Sequence, residues 1–345
     1  MTAATAVTQC QVTVALDWTP NTNHAGFYVA LAQGLYRAAN MTVKFLSPAQ
    51  DAYKATPASR VASGQALLAV SPSETVISSN SQSASSTKPR LTAVAALLQT
   101  DTSAVVTLKS SGLDRPSKLD GKTYASYGAR YEGRIVQQMI VNDGGTGDYT
   151  EVTPPMLGIW DTVLGGKADA TWVFMGWEGV DAKRRGVGLN GFSLEDSNIP
   201  YGYSPVLVAA TDTLQQHSET LQKFLAATAK GYEFAARHPE EAAELLCQTA
   251  SDTALDKEMV KESMQLLSQH FLTKDGRWGR QDKARWDAFL DWLADRKLLT
   301  TKVQSRTMSQ GQTASLDDLR KGDAGEVIPR ESFVPAALFT NEFLS

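Results

Sequence analysis

The chain has 345 residues, 42% hydrophobic and 20% charged, a composition typical of a soluble globular protein and a length that favours two lobes over one core. Its 33 basic and 37 acidic residues give a net charge of −4, which argues against nucleic acid as a partner. Cys10 and Cys247 belong to no CxxC or Cys/His cluster, so we predict free thiols, with neither a zinc site nor a disulfide.

The first residues, MTAATAVTQCQ, lack the basic region and long apolar run of a secretory signal. No apolar segment of about 18 residues occurs, so we expect no membrane segment. The sequence as written predicts a cytoplasmic protein, or a periplasmic one if an export signal has been removed.

The segment from Val12 to Tyr28, VTVALDWTPNTNHAGFY, carries the clearest chemistry. A buried strand ends near Trp18, a polar turn follows, and a helix begins near His24. In an open α/β sheet this strand edge binds ligands. A Trp face beside the Asn23 amide and the His24 imidazole can stack on a flat heterocycle and hydrogen-bond its rim. The alternative is that Trp18 fills the core and Asn23 caps the helix.

The chain continues with an α/β pattern. Residues 25–38 have the apolar period of one helix, and residues 41–46 form a second strand. Thr56 as N-cap, Pro57 at the first helical position and a closing Gly64 predict the next helix.

A third strand, residues 66–71, ends in the run Ser71-Pro72-Ser73-Glu74. Ser71, Ser73 and Glu74 therefore precede or begin a helix whose free amides can hold a ligand acceptor. The alternative is a capping box between Ser71 and Glu74, and the two interpretations are compatible.

The chain is expected to change lobe twice. A Ser-rich loop at residues 78–90 leads to one long apolar strand or a strand pair at residues 91–109, and the chain is expected to enter a second α/β unit at about residues 100–109. A strand at residues 203–210 carries it back. We predict that residues 10–105 and 204–345 form lobe one and that residues 106–203 form lobe two.

Two strand ends of lobe two carry polar and aromatic residues. One strand ends at Tyr127, and Arg130, Tyr131 and Glu132 follow at its junction with a helix. A later strand contains Trp172 and delivers Trp177 and Glu178 to the same edge.

The C-terminal part is mostly helical and is expected to pack around lobe one. We predict that Trp278, Trp286 and Trp292 lie in the core or at interfaces, and we assign no chemistry to His217, His238 and His270.

The strong catalytic motifs, GxSxG, HExxH, the Walker loop and paired Asp-x-Asp, are missing. Aromatic, amide and carboxylate groups at strand ends of two α/β units instead predict a cleft that closes on a small ligand by hinge motion. This pattern favours binding over catalysis.

Five segments carry a resemblance to a known family: LDWTPNTNHAGFYVALAQGLY, LLAVSPSETV, LDGKTYASYGARYEG, GKADATWVFMGWEG and LFTNEFL. They resemble the bacterial periplasmic pyrimidine-binding proteins and the fungal thiamine-pyrimidine synthases. The resemblance implies the α/β, two-lobe periplasmic-binding-protein type II fold, with an aminopyrimidine thiamine precursor between the lobes. A carboxylate would pair with the ring, and Glu178 is the first choice for it, before Glu132 and Glu74.

The synthase branch of that family uses an active-site histidine and a lysine that holds pyridoxal phosphate. The matching positions here are Thr75 and Ser71, and a hydroxyl can neither form a Schiff base nor supply an imidazole. The synthases also have a cysteine-rich, iron-associated run, whereas residues 199–208 contain no cysteine. These departures make synthase activity an unfavoured alternative.

We therefore predict a binding protein for a thiamine-related aminopyrimidine or similar heterocycle, without a cofactor, with a transporter as partner if the protein is exported. A second alternative is a binder of a sulfonate or another anion, which Arg130 beside a helix N-terminus would support. The predicted ligand-binding residues are Trp18, Asn23, His24, Ser71, Ser73 and Glu74 of lobe one and Tyr127, Arg130, Tyr131, Glu132, Trp172, Trp177 and Glu178 of lobe two.

Overall fold

The structure, a computed structural model, describes residues 9–81, 89–250, 253–302 and 325–344. Within these ranges the chain forms two five-stranded mixed sheets with helices packed against them. No helix in these ranges is both long and apolar enough to cross a membrane. The strands are β1 (Cys10–Ala15), β2 (Met41–Leu46), β3 (Leu68–Ser71), β4 (Leu91–Ala96), β5 (Ser103–Leu108), β6 (Thr123–Ala125), β7 (Thr150–Val152), β8 (Ala170–Phe174), β9 (Leu189–Ser193) and β10 (Val206–Ala210).

The two sheets share one topology. Sheet A has the order β2-β1-β3-β10-β4, and sheet B has the order β7-β6-β8-β5-β9. In each sheet the first three strands are parallel, and the fourth runs antiparallel to both of its neighbours. The fourth strand, β10 or β5, is the one that follows a crossing between the sheets. The chain crosses from sheet A to sheet B between β4 and β5, at residues 97–102, and it crosses back between β9 and β10. Strand β9 was not predicted.

The helices connect and cover the strands. Thr56 caps its helix as predicted, because its Oγ1 accepts the Ser59 N–H at 3.2 Å. The described α-helices are α1 (Ala25–Ala32), α2 (Leu35–Ala38), α3 (Pro57–Ala62), α4 (Ser73–Asn80), α5 (Glu132–Asn142), α6 (Ile159–Leu164), α7 (Glu178–Arg184), α8 (Ser218–Arg237), α9 (Pro239–Thr249), α10 (Lys257–Leu267), α11 (Lys283–Asp295) and α12 (Pro335–Leu338).

The single helix predicted for residues 25–38 is wrong. The chain breaks between α1 and α2 at Gly34, which has φ +69°. That left-handed conformation ends a helix, and glycine adopts it without a Cβ penalty. The apolar period continues across the break, so periodicity alone concealed it.

Helices α1 and α8 approach closely through two glycines. A Cβ on Gly231 would lie 2.1 Å from the Gly26 backbone oxygen, and one on Gly26 would lie 2.1 Å from the Tyr232 ring. The Tyr232 hydroxyl donates to the Asn23 carbonyl oxygen at 2.7 Å. This contact fixes the start of α1 relative to the core.

The C-terminal helices pack against both lobes, which corrects the expectation that they wrap lobe one alone. On one side, Ser263 of α10 donates to the Gly176 carbonyl oxygen just after β8. On another side, the Arg296 guanidinium that follows α11 donates to Gln138 of α5 at 3.1 Å. The predicted burial of Trp278, Trp286 and Trp292 is confirmed.

One guanidinium ties the two crossing segments together. Arg285 of α11 donates to the carbonyl oxygen of Gln99 at 2.5 Å in the first crossing. It donates to those of Gly202 at 2.7 Å and Tyr201 at 3.4 Å in the second crossing.

Seven of the residues in the Ser-rich loop predicted at 78–90, residues 82–88, lie outside the described residues.

Candidate functional site

A cavity of about 470 Å³ lies between the two sheets, with residues from both in its wall. This volume is in the range of small-molecule sites. Predicted residues that line it are Trp18, Asn23, Ser71, Glu74, Tyr127, Arg130, Glu132, Trp172, Trp177 and Glu178. The structure does not bring His24, Ser73 and Tyr131 into this wall: they are buried behind it.

His24 orients an acid of the wall. Its Nδ1 accepts the Asn21 N–H at 3.3 Å, so Nε2 carries the proton and donates to Asp17 at 2.8 Å. The imidazole is fully buried, whereas Asp17 faces the cavity. His24 is therefore placed as a support for Asp17 rather than as a ligand contact.

Trp18 forms an aromatic corner at the end of β1. Its ring centroid lies 6.0 Å from that of Tyr127 and 6.5 Å from that of Tyr53, with interplanar angles of 73° and 54°. Tyr53 also lines the cavity and was missed by the sequence analysis. The signal available was an aromatic residue just before the helix cap at Thr56.

Asn23 lies in the cavity wall and has an enclosed side-chain oxygen that is unpaired in the described ranges. The residue is 5% exposed, and its Oδ1 has no hydrogen-bond partner among the described residues. A buried amide oxygen without a partner is costly. Rotation of the amide would turn this oxygen toward the cavity that the residue lines, where a ligand donor would satisfy it.

One face of α4 and the residues before it runs along the cavity. Ser71 and Thr75, which the resemblance matched to the synthase lysine and histidine positions, both belong to the wall. Ser78 and Ser79 continue the same face one turn later.

Glu74 joins the two lobes instead of closing a capping box. Helix α4 has no side-chain cap, so the predicted Ser71–Glu74 box is wrong. The Glu74 carboxylate instead accepts the Tyr201 hydroxyl at 2.5 Å and the Tyr131 N–H at 3.3 Å. Burial raises the pKa of Glu74. The hydrogen bond from the Tyr131 N–H to Glu74 holds Tyr131 behind the wall.

Ser73 begins α4 but points away from the cavity wall. Its N–H donates to the Tyr203 carbonyl oxygen at 2.9 Å, and its side chain is fully buried beside Gly202. It therefore supports the junction between α4 and the second crossing.

Glu132 shapes the loop that carries Tyr127. Its carboxylate accepts the Tyr124 hydroxyl at 2.8 Å and the N–H groups of Tyr127 and Ala129 at 3.0 and 3.1 Å. Burial raises the pKa of Glu132 to about 7. With three donors already bound, Glu132 has little acceptor capacity left for a ligand.

Glu178 is the least engaged of the buried carboxylates in the wall. It begins α7 and accepts the Phe174 N–H at 3.1 Å. Burial raises the pKa of Glu178 to about 7. Trp172 and Trp177 lie in the same wall. Since a carboxylate offers about four lone-pair positions, Glu178 retains acceptor capacity toward the cavity.

The described wall is rich in acceptors and carboxylates. Asp17, Glu74, Glu132 and Glu178 line it, whereas Arg130 is the one Lys or Arg among the described lining residues. This imbalance favours a ligand that brings hydrogen-bond donors or positive charge. The described residues contain no group of three or more His, Cys, Asp or Glu that could hold a metal ion.

The chain is similar in sequence and in fold to known proteins. A formylaminopyrimidine-binding protein from Halalkalibacterium halodurans is 28% identical over 287 residues, which cover 82% of this chain and 84% of that protein. The alkanesulfonate-binding protein SsuA from Xanthomonas axonopodis pv. citri bound to MOPS superposes with a TM-score of 0.64 at 12% identity, over 85% of this chain and 96% of that one.

A third similarity names the fold. The Candida albicans CA3427 gene product, which exhibits the generic periplasmic binding protein structural fold, superposes with a TM-score of 0.54 at 14% identity, over 93% of this chain and 97% of that one. The predicted two-lobe periplasmic-binding-protein type II fold, with its cleft between the lobes, is confirmed. The NMT1/THI5-like family pattern matches residues 21–242, more than half of the chain, and the protein therefore belongs to the NMT1/THI5-like family.

Proposed function

We propose that the protein binds an aminopyrimidine related to thiamine precursors, or a similar small heterocycle, in the cleft between its lobes. The observation that carries the proposal is the pairing of an aromatic corner at Trp18 with buried acceptors at Asn23 and Glu178 in one cavity. A flat ring can stack on the first while its amino group donates to the second.

Glu178 is the proposed partner of the ring edge. A carboxyl group facing an aminopyrimidine accepts from the amino group through one oxygen and shares a proton with a ring nitrogen through the other. Burial raises the pKa of Glu178 to about 7, so near neutral pH the group can either hold this proton or release it.

The similar protein from Halalkalibacterium halodurans supports a pyrimidine ligand, since its name states that it binds formylaminopyrimidine. We extend that ligand class to this chain because the cleft offers the aromatic and acceptor groups that such a ring requires.

The cleft argues against the two alternative functions. A synthase needs an amine where Ser71 stands and an imidazole where Thr75 stands, and both positions line the cavity with hydroxyls. A sulfonate brings only acceptor oxygens to a wall in which Asp17, Glu74, Glu132 and Glu178 already offer acceptors, and each of these acids that is ionised repels it. We therefore propose binding without a catalytic step.

Titration with four compounds tests the proposal: formylaminopyrimidine, the corresponding aminopyrimidine, pyridoxal phosphate and MOPS. At one hundred times its Kd, a pyrimidine should stabilise the protein by about 2.7 kcal/mol. Trp18→Ala should weaken pyrimidine binding roughly tenfold or more, because stacking contributes about 1–3 kcal/mol. Stabilisation by MOPS alone would contradict the proposal.

The cellular location of the protein stays a prediction, with the cytoplasm as the first case and the periplasm as the second. A transporter that receives the ligand is proposed only for the second case. Fractionation of cells that express the complete natural gene distinguishes the two.

A further inference from the structure

Helix α7 carries one wall of the cavity and is held from outside that wall. It follows β8 of sheet B and begins with Glu178, the proposed partner of the ligand. Helix α10, which packs in the hydrophobic core of sheet A, lies against it. The position of Glu178 relative to the rest of the wall therefore depends on how α7 is attached to α10.

Buried hydroxyl groups join the two helices at the N-terminal end of α7. The Ser263 hydroxyl of α10 donates to the Gly176 carbonyl oxygen and lies 2.5 Å from the Thr22 hydroxyl. Since a hydroxyl has a single proton, Thr22 must donate to Ser263. Thr22 precedes the wall residue Asn23, and Gly176 precedes the wall residue Trp177. These hydrogen bonds therefore connect two parts of the cavity wall from behind.

The same end of α7 is closely packed against α10. A Cβ on Gly176 would lie 2.7 Å from the Cγ of Leu267, which is itself buried. Trp177 packs against the hydrophobic core to which Leu267 belongs. The absence of a side chain on Gly176 allows its carbonyl oxygen to reach Ser263.

Two ion pairs join the helices at the C-terminal end of α7. Arg184, the last residue of α7, lies 2.7 Å from a carboxylate oxygen of Glu262 and 3.5 Å from one of Asp256. Asp256 is the N-cap of α10 and accepts two N–H groups of the first turn. All three charged side chains are partly exposed, so salt weakens these pairs and they can open.

We propose that Ser263 and Arg184 are positioning residues that hold the two ends of α7 against α10 and so keep Glu178 in the cavity wall. Neither is among the described residues that line the cavity, so their effect on a ligand passes through α7. The consequence for binding rests on the proposed function, whereas the attachment of α7 does not. If fewer molecules hold Glu178 in place, the apparent Kd rises in proportion.

Hydrogen exchange of the ligand-free full chain, followed by mass spectrometry, tests the attachment. Arg184→Gln removes both ion pairs to α10, so the amides of residues 175–184 should exchange roughly 3- to 10-fold faster. The matched control Arg185→Gln removes only the pair with Asp181 inside α7 and should change their exchange at most about twofold. Exchange in β1 and β2, which should stay unchanged, reports any global loss of stability.

A charge swap distinguishes positioning from a general loss of helix structure. Arg184→Glu places a carboxylate beside two acids, so exchange of α7 should accelerate further and the Kd for formylaminopyrimidine, measured by calorimetry, should rise roughly 3- to 10-fold. Adding Glu262→Arg to this variant forms the pair again in the opposite sense. Both the exchange rate and the Kd should then return most of the way to those of the unmodified protein.

The outcomes separate the two proposals. Equal exchange of α7 in Arg184→Gln and Arg185→Gln would overturn the positioning role, and so would a charge swap that restores nothing. An unchanged Kd in Arg184→Glu, with faster exchange of α7, would overturn the link to Glu178. If the unmodified protein binds no pyrimidine, the proposed function is wrong, and the exchange rates still decide whether Arg184 holds α7.

Discussion

At the residue scale, Glu178 links the proposed site to the stability of the fold. The burial that raises the pKa of its carboxyl to about 7 means that the folded protein holds this proton more tightly than the unfolded chain does. The contribution of protonated Glu178 to the free energy of unfolding is therefore fully present below pH 4.5 and is lost as the pH rises through about 7.

We predict that Glu178→Gln stabilises the protein at pH 8 by roughly 2–3 kcal/mol, because the neutral amide avoids the cost of a buried charge and can still accept the Phe174 N–H. Urea unfolding at pH 4 and pH 8 measures the effect, which should shrink toward zero at the lower pH. The control Glu219→Gln replaces an exposed acid paired with Lys223 and should leave the free energy of unfolding nearly unchanged at both pH values. Equal effects of Glu178→Gln at both pH values would contradict the prediction.

Residue types predicted the chemistry of the site better than its geometry. Trp18 and Asn23 follow β1 of sheet A, Glu178 follows β8 of sheet B, and the carboxyl ends of these two strands face the same cavity. His24 was predicted to contact the ligand, but both of its ring nitrogens are occupied by hydrogen bonds to Asp17 and to the Asn21 N–H. Side-chain pairs between neighbours compete with ligand contacts, and spacing along the chain does not show which one wins.

The capping box at Ser71 failed for a related reason. Its sequence pattern is local, whereas the Glu74 carboxylate is taken by Tyr201 and Tyr131 from the other side of the cleft. A long-range hydrogen bond of this kind leaves no trace in a four-residue motif, so only the folded structure reveals it.

At the element scale, the close contact of α1 and α8 depends on residues without a side chain. Gly231 is in the middle of a twenty-residue helix, where glycine is disfavoured by about 1 kcal/mol relative to alanine. Its presence is explained by the Gly26 carbonyl, which leaves no space for a methyl group.

We predict that Gly231→Ala lowers the free energy of unfolding by about 1–3 kcal/mol, since overpacking against backbone outweighs the gain in helix propensity. Gly158→Ala is the matched control, because a Cβ there would meet nothing within 4 Å. Denaturation in urea compares the two. An effect no larger than that of the control would show that the helices separate without cost.

Periodicity and turn residues predicted β2 and α3 because each of these elements is determined by its own residues. Strand β9, Leu189–Ser193, has no such signal: it is a partly exposed edge strand whose residues Asn190 and Gly191 are poor strand formers. Pairing with β5 determines its conformation. In such a segment, pairing with a neighbouring strand rather than the local sequence determines whether a strand forms.

At the scale of the whole molecule, Arg285 holds the two crossing segments in register. Its fork reaches carbonyl oxygens of Gln99, Gly202 and Tyr201. A lysine has the charge but not the planar fork, and it would leave partly buried carbonyls without donors.

We predict that Arg285→Lys lowers the free energy of unfolding by about 1–3 kcal/mol. Arg277→Lys is the control: this arginine is half exposed and pairs with the nearby Asp275, so its replacement should cost less than about 0.5 kcal/mol. Urea unfolding monitored by tryptophan fluorescence measures both. Similar midpoints for the two variants would contradict a special role of Arg285.

The central position of β10 in sheet A also sets the order in which the two sheets can be completed during synthesis. All five strands of sheet B lie between Ser103 and Ser193, whereas sheet A lacks the strand between β3 and β4 until Val206–Ala210 emerges. Roughly 110 residues separate β4 from β10, and their translation takes about 5–20 s at bacterial and eukaryotic rates. Sheet A therefore begins to form first and is completed last. Until β10 emerges, β3 and β4 each have an unpaired edge that can pair with a wrong strand.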